Sequence, residues 1–161
     1  MILLDGAIGT LVASRGVAAP PDILNLTDPG LVAAVHHGYI EAGAGIITTN
    51  TFLTADPATI RAGVRIARSE ADAAHTRILV AGSIGPTTEG DALRQKARIL
   101  TDAGVDLLLL ETLTSTEPIR ALGKAPHRLP VMVSATLRMD GRLLSGESLE
   151  DLVAAAEDLG A

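Results

Sequence analysis

The sequence has little of several residue types on which many small proteins depend. It contains no cysteine, no tryptophan, one phenylalanine and one tyrosine among 161 residues. The absence of cysteine excludes disulfides and thiolate metal ligands within this chain. Hydrophobic residues nevertheless make up 47% of the sequence, which excludes an intrinsically disordered chain. The core must therefore be built from Ala, Val, Leu and Ile.

Positive charge is also scarce. The formal net charge is −6 and no run of basic residues occurs, which argues against nucleic acid or an anionic membrane as a partner. No apolar stretch reaches the length of a membrane span. The first residues, MILLDGAIGT, lack the basic region of a signal peptide, and Asp5 interrupts their apolar run. We expect a cytoplasmic protein with one domain over residues 1–161.

Short apolar runs alternate with longer helical patterns along the whole chain. The predicted strands cover residues 2–4, 45–49, 78–81, 105–110 and 131–135. The predicted helices cover residues 29–42, 59–75, 91–103, 116–122 and 148–159. Continuous apolar strands separated by helices indicate a parallel sheet that is covered on both faces. Right-handed crossovers then leave a doubly wound sheet or part of a (βα) barrel.

Each predicted strand is followed by polar side chains. In chain order these are Asp5, Thr49-Asn50-Thr51, Ser83, Glu111-Thr112 and Thr136. In parallel α/β folds such strand ends lie together on the face where ligands bind. We therefore predict a pocket whose substrate-binding residues are Asp5, Asn50, Ser83, Glu111 and Thr136. The two carboxylates, Asp5 and Glu111, suit a ligand ammonium group or act as an acid/base pair.

Two other features carry a weaker signal. His36 and His37 occupy adjacent helical positions that face different ways, whereas helical metal ligands need a spacing of three or four residues. The loop from Gly82 to Pro86 matches no phosphate-binding motif and lacks the lysine of one. We interpret it as a turn that lets the backbone approach a ligand.

Five motifs together resemble one known family. In chain order they read LLDGAIGT, LNLTDP, YIEAGAGIITTNTF, AGSIGPT and DLLLLET. Each is weak alone, but their order and their spread over nearly the whole chain resemble the homocysteine S-methyltransferase family. That family includes the homocysteine-binding domain of cobalamin-dependent methionine synthase and betaine-homocysteine methyltransferase.

The resemblance implies a TIM (βα)8 barrel that methylates the sulfur of homocysteine to give methionine. It implies that Asp5 in LLDG and Glu111 in LLLET hold the amino-acid end of homocysteine. It also implies that Asn50 and Ser83 line the same pocket. The expected ligand is therefore homocysteine or a similar small amino acid.

The resemblance also implies zinc in complete members of the family. There, three cysteines hold the metal, one in a GxNC-type motif on the sixth strand and two adjacent ones near the eighth. The metal deprotonates a thiol that is otherwise mostly protonated at neutral pH. This chain has no cysteine and ends about where the sixth strand would start. We therefore expect a partial TIM barrel of about five βα units with parallel strands, without metal or catalytic residues of its own.

Three functions fit these expectations. The first is a methyltransferase domain whose zinc-binding C-terminal part is missing or supplied by another chain, so that this chain alone has negligible activity. The second is a non-catalytic amino-acid-binding module that keeps Asp5, Asn50 and Glu111. The third is an unrelated doubly wound α/β enzyme, which would show a strand order that reverses within the sheet. In the first two, open sheet edges favour self-association or pairing with a complementing half.

Overall fold

The computed structural model describes residues 2–18, 20–87, 89–123 and 129–160. Helices and strands alternate along most of this length. The helices are α1 (Ile8–Ser14), a 3-10 turn (Pro21–Ile23), α2 (Leu24–Thr27), α3 (Pro29–Glu41), α4 (Pro57–Ala73), α5 (Gly90–Ala103), α6 (Glu117–Gly123) and α7 (Leu149–Leu159). The strands are β1 (Ile46–Thr48), β2 (Leu79–Ile84), β3 (Leu107–Leu113) and β4 (Val131–Ala135).

The four strands form one parallel sheet in the order β1-β2-β3-β4. Each strand lies beside the next one in the chain, as in a (βα) barrel. No reversal of order occurs among the described strands, so the doubly wound alternative is wrong. The predicted strand at residues 2–4 is reduced to a single parallel bridge between Leu4 and Ile46.

Local sequence signals explain where the main helices begin. Asp28 accepts a hydrogen bond from the backbone N–H of Leu31 and caps α3, and Asp56 caps α4 by accepting from Thr59. Ser148 and Asp151 form a capping box at the start of α7. The sequence prediction missed α1, the 3-10 turn and α2, because these segments are too short to show a clear apolar period.

The sheet separates two layers of apolar side chains. The outer face packs against the helices through a large cluster that includes Ile47, Val80, Leu108 and Leu110. The inner face carries a smaller cluster, formed by Ile46, Leu79, Ala81, Leu107 and Leu109. Side chains alternate between the two faces along a strand. The inner-face positions that follow these apolar residues therefore lie at the carboxyl ends of the strands, and polar residues occupy them.

A β-bulge interrupts this alternation near the end of β3. Leu110 pairs with Val133 and Leu113 pairs with Ala135, so two residues of β3, Glu111 and Thr112, oppose one residue of β4. Thr112 has φ 58°, an unusual backbone conformation for a residue other than glycine. The bulge returns Leu113 to the outer cluster while Glu111 stays on the inner face.

The last strand of the sheet, β4, exposes apolar surface. Met132 is 37% exposed, although it lies in register with Leu109 of the inner face. Beyond β4, Leu137 and Leu143 form an antiparallel bridge around a turn at Gly141, whose φ is 78°. No helix in the described part of the chain is both long and apolar enough to cross a membrane.

His36 is the most unusual buried residue of the fold. Its side chain is fully buried on α3, and neither ring nitrogen has a hydrogen-bond partner in the described part of the chain. Burial lowers its pKa to about 4, so the ring is neutral at pH 7. The neighbouring His37 points outward, with Nδ1 3.6 Å from the Glu70 carboxylate. The two histidines therefore form no metal-binding pair, as the sequence indicated.

We expect His36→Leu to stabilise the chain. Removing an unpartnered buried polar group should raise the free energy of unfolding at pH 7 by about 1 kcal/mol. The unfolded wild-type chain takes up a proton near pH 6.5 that the folded chain refuses until about pH 4, so wild-type stability falls across this window as the pH falls. Urea titrations at several pH values should show the advantage of His36→Leu growing from pH 7 to pH 4. The exposed control His37→Gln should show no such growth, and an equal pH dependence in both variants would contradict the prediction.

Candidate functional site

A cavity of about 360 Å³ opens at the carboxyl ends of the strands. The segment from Leu4 to Thr10 forms one wall, and the ends of β1, β2 and β3 form the other. Four of the five predicted site residues line this cavity, namely Asp5, Asn50, Ser83 and Glu111.

Thr136 is not among the residues that line this cavity. It is exposed and follows β4, the last strand of the sheet, and its backbone N–H donates to the Leu113 carbonyl oxygen at 2.9 Å. Thr112, one position from Glu111, lines the cavity instead. The bulge in β3 explains the difference, because the sequence pattern does not show that β3 extends past Glu111 and that β4 lies beyond it.

Asp5 is held by the end of β1. The backbone N–H of Thr48 donates to Asp5 Oδ2 at 2.8 Å, and Thr48 Oγ1 donates to Oδ1 at 3.0 Å. Burial raises the pKa of Asp5 from 3.8 to about 6; the Thr48 hydrogen bonds oppose this rise, and the charge of Glu111 adds to it. The carboxylate is therefore ionised at pH 7 at a cost that a bound cation would relieve.

Glu111 lines the same cavity as Asp5. Ser83 Oγ donates a hydrogen bond to Glu111 Oε1, which ties the end of β2 to the bulge of β3. The backbone N–H of Thr112 donates to Ser134 Oγ at 3.2 Å and fastens the bulge to β4. Strained backbone beside a charged cavity residue is a recurrent property of functional sites.

The polar end of β1 has mainly an internal role. Thr51 Oγ1 donates its one proton to the Ser83 carbonyl oxygen at 2.8 Å, so the 2.7 Å contact between the two threonine hydroxyls requires Thr49 to be the donor. Thr49 Oγ1 in turn accepts from the Ser83 N–H at 3.0 Å. These buried hydroxyls join β1 to β2 where ladder hydrogen bonds end, and they hold Ser83 in place.

Asn50 is fixed by a second asparagine, Asn25. The Asn50 side-chain amide donates to the Pro21 carbonyl oxygen at 2.7 Å and to Asn25 Oδ1 at 2.9 Å. Asn25 returns a hydrogen bond to the Asn50 carbonyl oxygen at 2.7 Å. A Cβ at Gly63 would lie 2.7 Å from the Asn25 amide nitrogen, which explains why a glycine stands in the middle of α4.

The sequence reasoning missed Asp22 and Lys96. Asp22 lines the cavity and is only 6% exposed, and its carboxylate accepts from the backbone N–H groups of Leu53 and Thr54. Lys96 lies behind the cavity wall, 8% exposed, and its amine donates to the carbonyl oxygens of Thr51 and Phe52. The sequence contains one signal for Lys96, because the apolar pattern of α5 predicts a buried residue at that position and lysine is rarely buried.

Two glycines allow close packing around the cavity. A Cβ at Gly6 would lie 2.7 Å from the Tyr39 hydroxyl, and one at Gly85 would lie 2.6 Å from the Phe52 carbonyl oxygen. Gly85 therefore lets the backbone approach the loop after β1, with its N–H 3.0 Å from the same oxygen. The sequence analysis predicted that the loop from Gly82 to Pro86 lets the backbone approach a ligand. At Gly85 the backbone instead approaches another part of the protein, the Phe52 carbonyl oxygen.

The described residues contain no group of three or more His, Cys, Asp or Glu side chains placed to hold a metal ion. The zinc expected for complete members of the family does not fit the donors of this chain, because the whole sequence lacks the cysteines of such a site. The geometry does suit an amino acid. Carboxylates and polar groups line an otherwise largely apolar cavity of small-molecule size.

The chain is matched by the homocysteine S-methyltransferase family model over residues 2–161. It therefore belongs to the homocysteine S-methyltransferase family. It is 31% identical to a methionine synthase of Mycobacterium leprae over 199 residues, covering 97% of this chain and 16% of that protein. A methionine synthase of Mycobacterium tuberculosis is 29% identical, with 97% and 17% covered. The chain thus spans about a sixth of the length of these relatives.

Solved structures agree with this assignment. The apo form of the homocysteine methyltransferase MmuM from Escherichia coli superposes with a TM-score of 0.83 and 32% identity, covering 98% of this chain and 67% of that one. Its metallated form gives a TM-score of 0.84 and 29% identity, covering 97% and 70%. The chain is therefore an α/β protein with the architecture of a partial TIM barrel.

Proposed function

We propose that this chain is the homocysteine-binding part of a homocysteine S-methyltransferase. The observation that carries the proposal is the convergence of Asp5, Ser83 and Glu111 on one cavity in a chain that belongs to this family. The carboxylates of Asp5 and Glu111 would receive the ammonium group of homocysteine. Asn50 and Ser83 would line the same pocket.

The electrostatics of the cavity support a cationic ligand group. The Asp5 carboxylate is partly buried and its pKa is raised, first by burial and further by the charge of Glu111. An ammonium group placed between the two acids would relieve both effects, because opposite charges within a few ångströms favour the ionised carboxylates. Binding should therefore lower the pKa of Asp5 and release a proton near pH 6.

Methyl transfer requires one further element. The homocysteine thiol must lose its proton, and zinc serves this purpose by stabilising the thiolate. We propose that the ligands of this metal come from outside the present sequence, on a complementing C-terminal half. The inner face of β4 would receive that half, because Met132 and Ser134 are exposed there although the neighbouring inner-face residues of β3 are covered.

Calorimetric titration with homocysteine tests the binding proposal. We expect one site per chain without added zinc, and no change in affinity when zinc is added. Glu111→Gln should weaken binding about tenfold or more, because it removes a half-buried charge that would face the ammonium group. The control Glu117→Gln makes the same chemical change at an exposed position that begins α6 and should leave the affinity unchanged.

Two results would contradict the proposal. One is the absence of homocysteine binding by the folded wild-type chain. The other is an equal affinity of wild-type and Glu111→Gln chains. Rapid methyl transfer by the purified chain alone would instead overturn the assignment of the metal to a complementing half.

A further inference from the structure

The loop that follows β1, residues 51–54, is held from two sides by opposite charges. The Lys96 amine donates to the carbonyl oxygens of Thr51 and Phe52. On the other side, the Asp22 carboxylate accepts from the N–H groups of Leu53 and Thr54. Four backbone groups in three consecutive peptide units are thus fixed by two side chains, which lie on a 3-10 turn and on α5.

Both charges are buried, which is rare without a specific reason. Asp22 is 6% exposed and Lys96 is 8% exposed. Removing ions of this kind from water costs several kcal/mol unless hydrogen bonds and an opposite charge compensate. Here the compensation comes from the loop itself and from the attraction between Lys96 and the acids Asp22 and Glu111. A loop with no further task would not need buried charges to hold it.

The loop shapes the candidate homocysteine site. Phe52 and Leu53 line the cavity together with Asp22 and Glu111. We propose that Asp22 and Lys96 are positioning residues for homocysteine binding, which set the place of loop 51–54 through opposite charges. This inference deepens the proposed function and rests on it for the identity of the ligand.

The charge of Lys96 can be varied with pH. Burial lowers the pKa of the amine to about 8, while the charges of Asp22 and Glu111 act in the opposite direction. Burial raises the pKa of Asp22, and the N–H groups of Thr54 and Leu53 and the charge of Lys96 oppose this. A change at the loop between pH 7 and pH 9 is assigned to the amine by comparison with Lys96→Arg, which stays charged over this range.

Phe52 is the one phenylalanine of the sequence and provides a site-specific probe. We would replace it with 4-fluorophenylalanine and record fluorine NMR spectra of the ligand-free chain from pH 7 to pH 10. The wild-type signal should shift with a midpoint near pH 8. Lys96→Arg should show no such shift, because arginine stays charged over this range. Arg98→Met, which removes an exposed cation of the same helix, should keep the wild-type shift.

A loop whose place does not depend on the charge of Lys96 would show no such titration at Phe52. The inference is therefore overturned by a wild-type signal that does not move, or by the same shift in Lys96→Arg. This readout needs no homocysteine, so it tests the dependence of the loop on the Lys96 charge even if the proposed ligand is wrong.

Homocysteine affinities provide the second test. Lys96→Met and Asp22→Asn should each weaken binding about tenfold, and the double variant should lose little more, since both act through one loop. Lys96→Arg should restore most of the affinity. All are measured well below the melting temperature of the least stable variant. Additive losses, or affinities unchanged while stability falls, would contradict a positioning role, whereas failure of the wild-type chain to bind would count against the proposed function.

Discussion

Asp5→Asn should weaken homocysteine binding about 100-fold, which corresponds to about 3 kcal/mol, because it leaves a buried ammonium group with one carboxylate fewer. The same variant should be more stable than the wild-type chain when no ligand is present. Ionised Asp5 is costly in the folded state, where burial raises its pKa from 3.8 to about 6. Asparagine has the same shape and no charge to bury. We expect a gain of about 1 kcal/mol in the free energy of unfolding at pH 7.

The sign of this effect depends on pH. The folded chain holds the Asp5 proton more tightly than the unfolded chain, so its contribution to stability is complete below pH 3.8 and is lost as the pH rises through about 6. The advantage of Asp5→Asn should therefore be smallest near pH 4 and largest above pH 6.5. Thermal melts across this range measure it. The exposed control Asp102→Asn should show no such trend. A destabilised Asp5→Asn chain at pH 7 would contradict the conclusion that the ionised Asp5 carboxylate lowers the stability of the folded chain.

Gly63→Ala should lower the free energy of unfolding by about 2 kcal/mol, because overpacking displaces buried neighbours. An added Cβ would lie 2.7 Å from the amide nitrogen of Asn25, which holds Asn50. Weaker homocysteine binding should accompany the loss. This result is opposite to the usual effect of the substitution, since alanine is favoured over glycine within a helix by about 1 kcal/mol.

Gly38 of α3 offers a matched control. Apart from the adjacent backbone of α3, no atom of the described residues lies within 4 Å of a Cβ placed there, so Gly38→Ala should raise the free energy of unfolding by about 0.5 kcal/mol or more. Urea unfolding of both variants gives the comparison. Equal effects at the two positions would show that helix propensity alone decides the outcome and that the Asn25–Asn50 pair is not rigid.

The sequence was sufficient for most of the architecture because its signals are local. Apolar runs such as residues 105–110 have the length and flanks of buried parallel strands, and Asp28 and Ser148 mark where helices begin. The strand at residues 2–4 was overestimated, since only Leu4 forms a bridge. An apolar run of three residues does not show how much of it pairs.

The site was predictable only in part. Asp5, Asn50, Ser83 and Glu111 follow from the rule that parallel strands present their carboxyl ends together. Thr136 was grouped with them because the pattern contains no sign of the bulge at Thr112. Asp22 and Lys96 escaped notice because their importance depends on burial against a loop distant in sequence, and no short pattern expresses that.

The close approach of Tyr39 to Gly6 has a practical consequence. Tyr39 is the one tyrosine of a sequence without tryptophan, so emission excited at wavelengths that phenylalanine does not absorb comes from a single ring. Its hydroxyl donates to the Ala7 carbonyl oxygen at 3.5 Å, beside the turn that carries Asp5 into the cavity. The chain therefore contains a native fluorophore in contact with a segment that lines its candidate site. The intensity and lifetime of that emitter should report any shift of this segment when a ligand arrives.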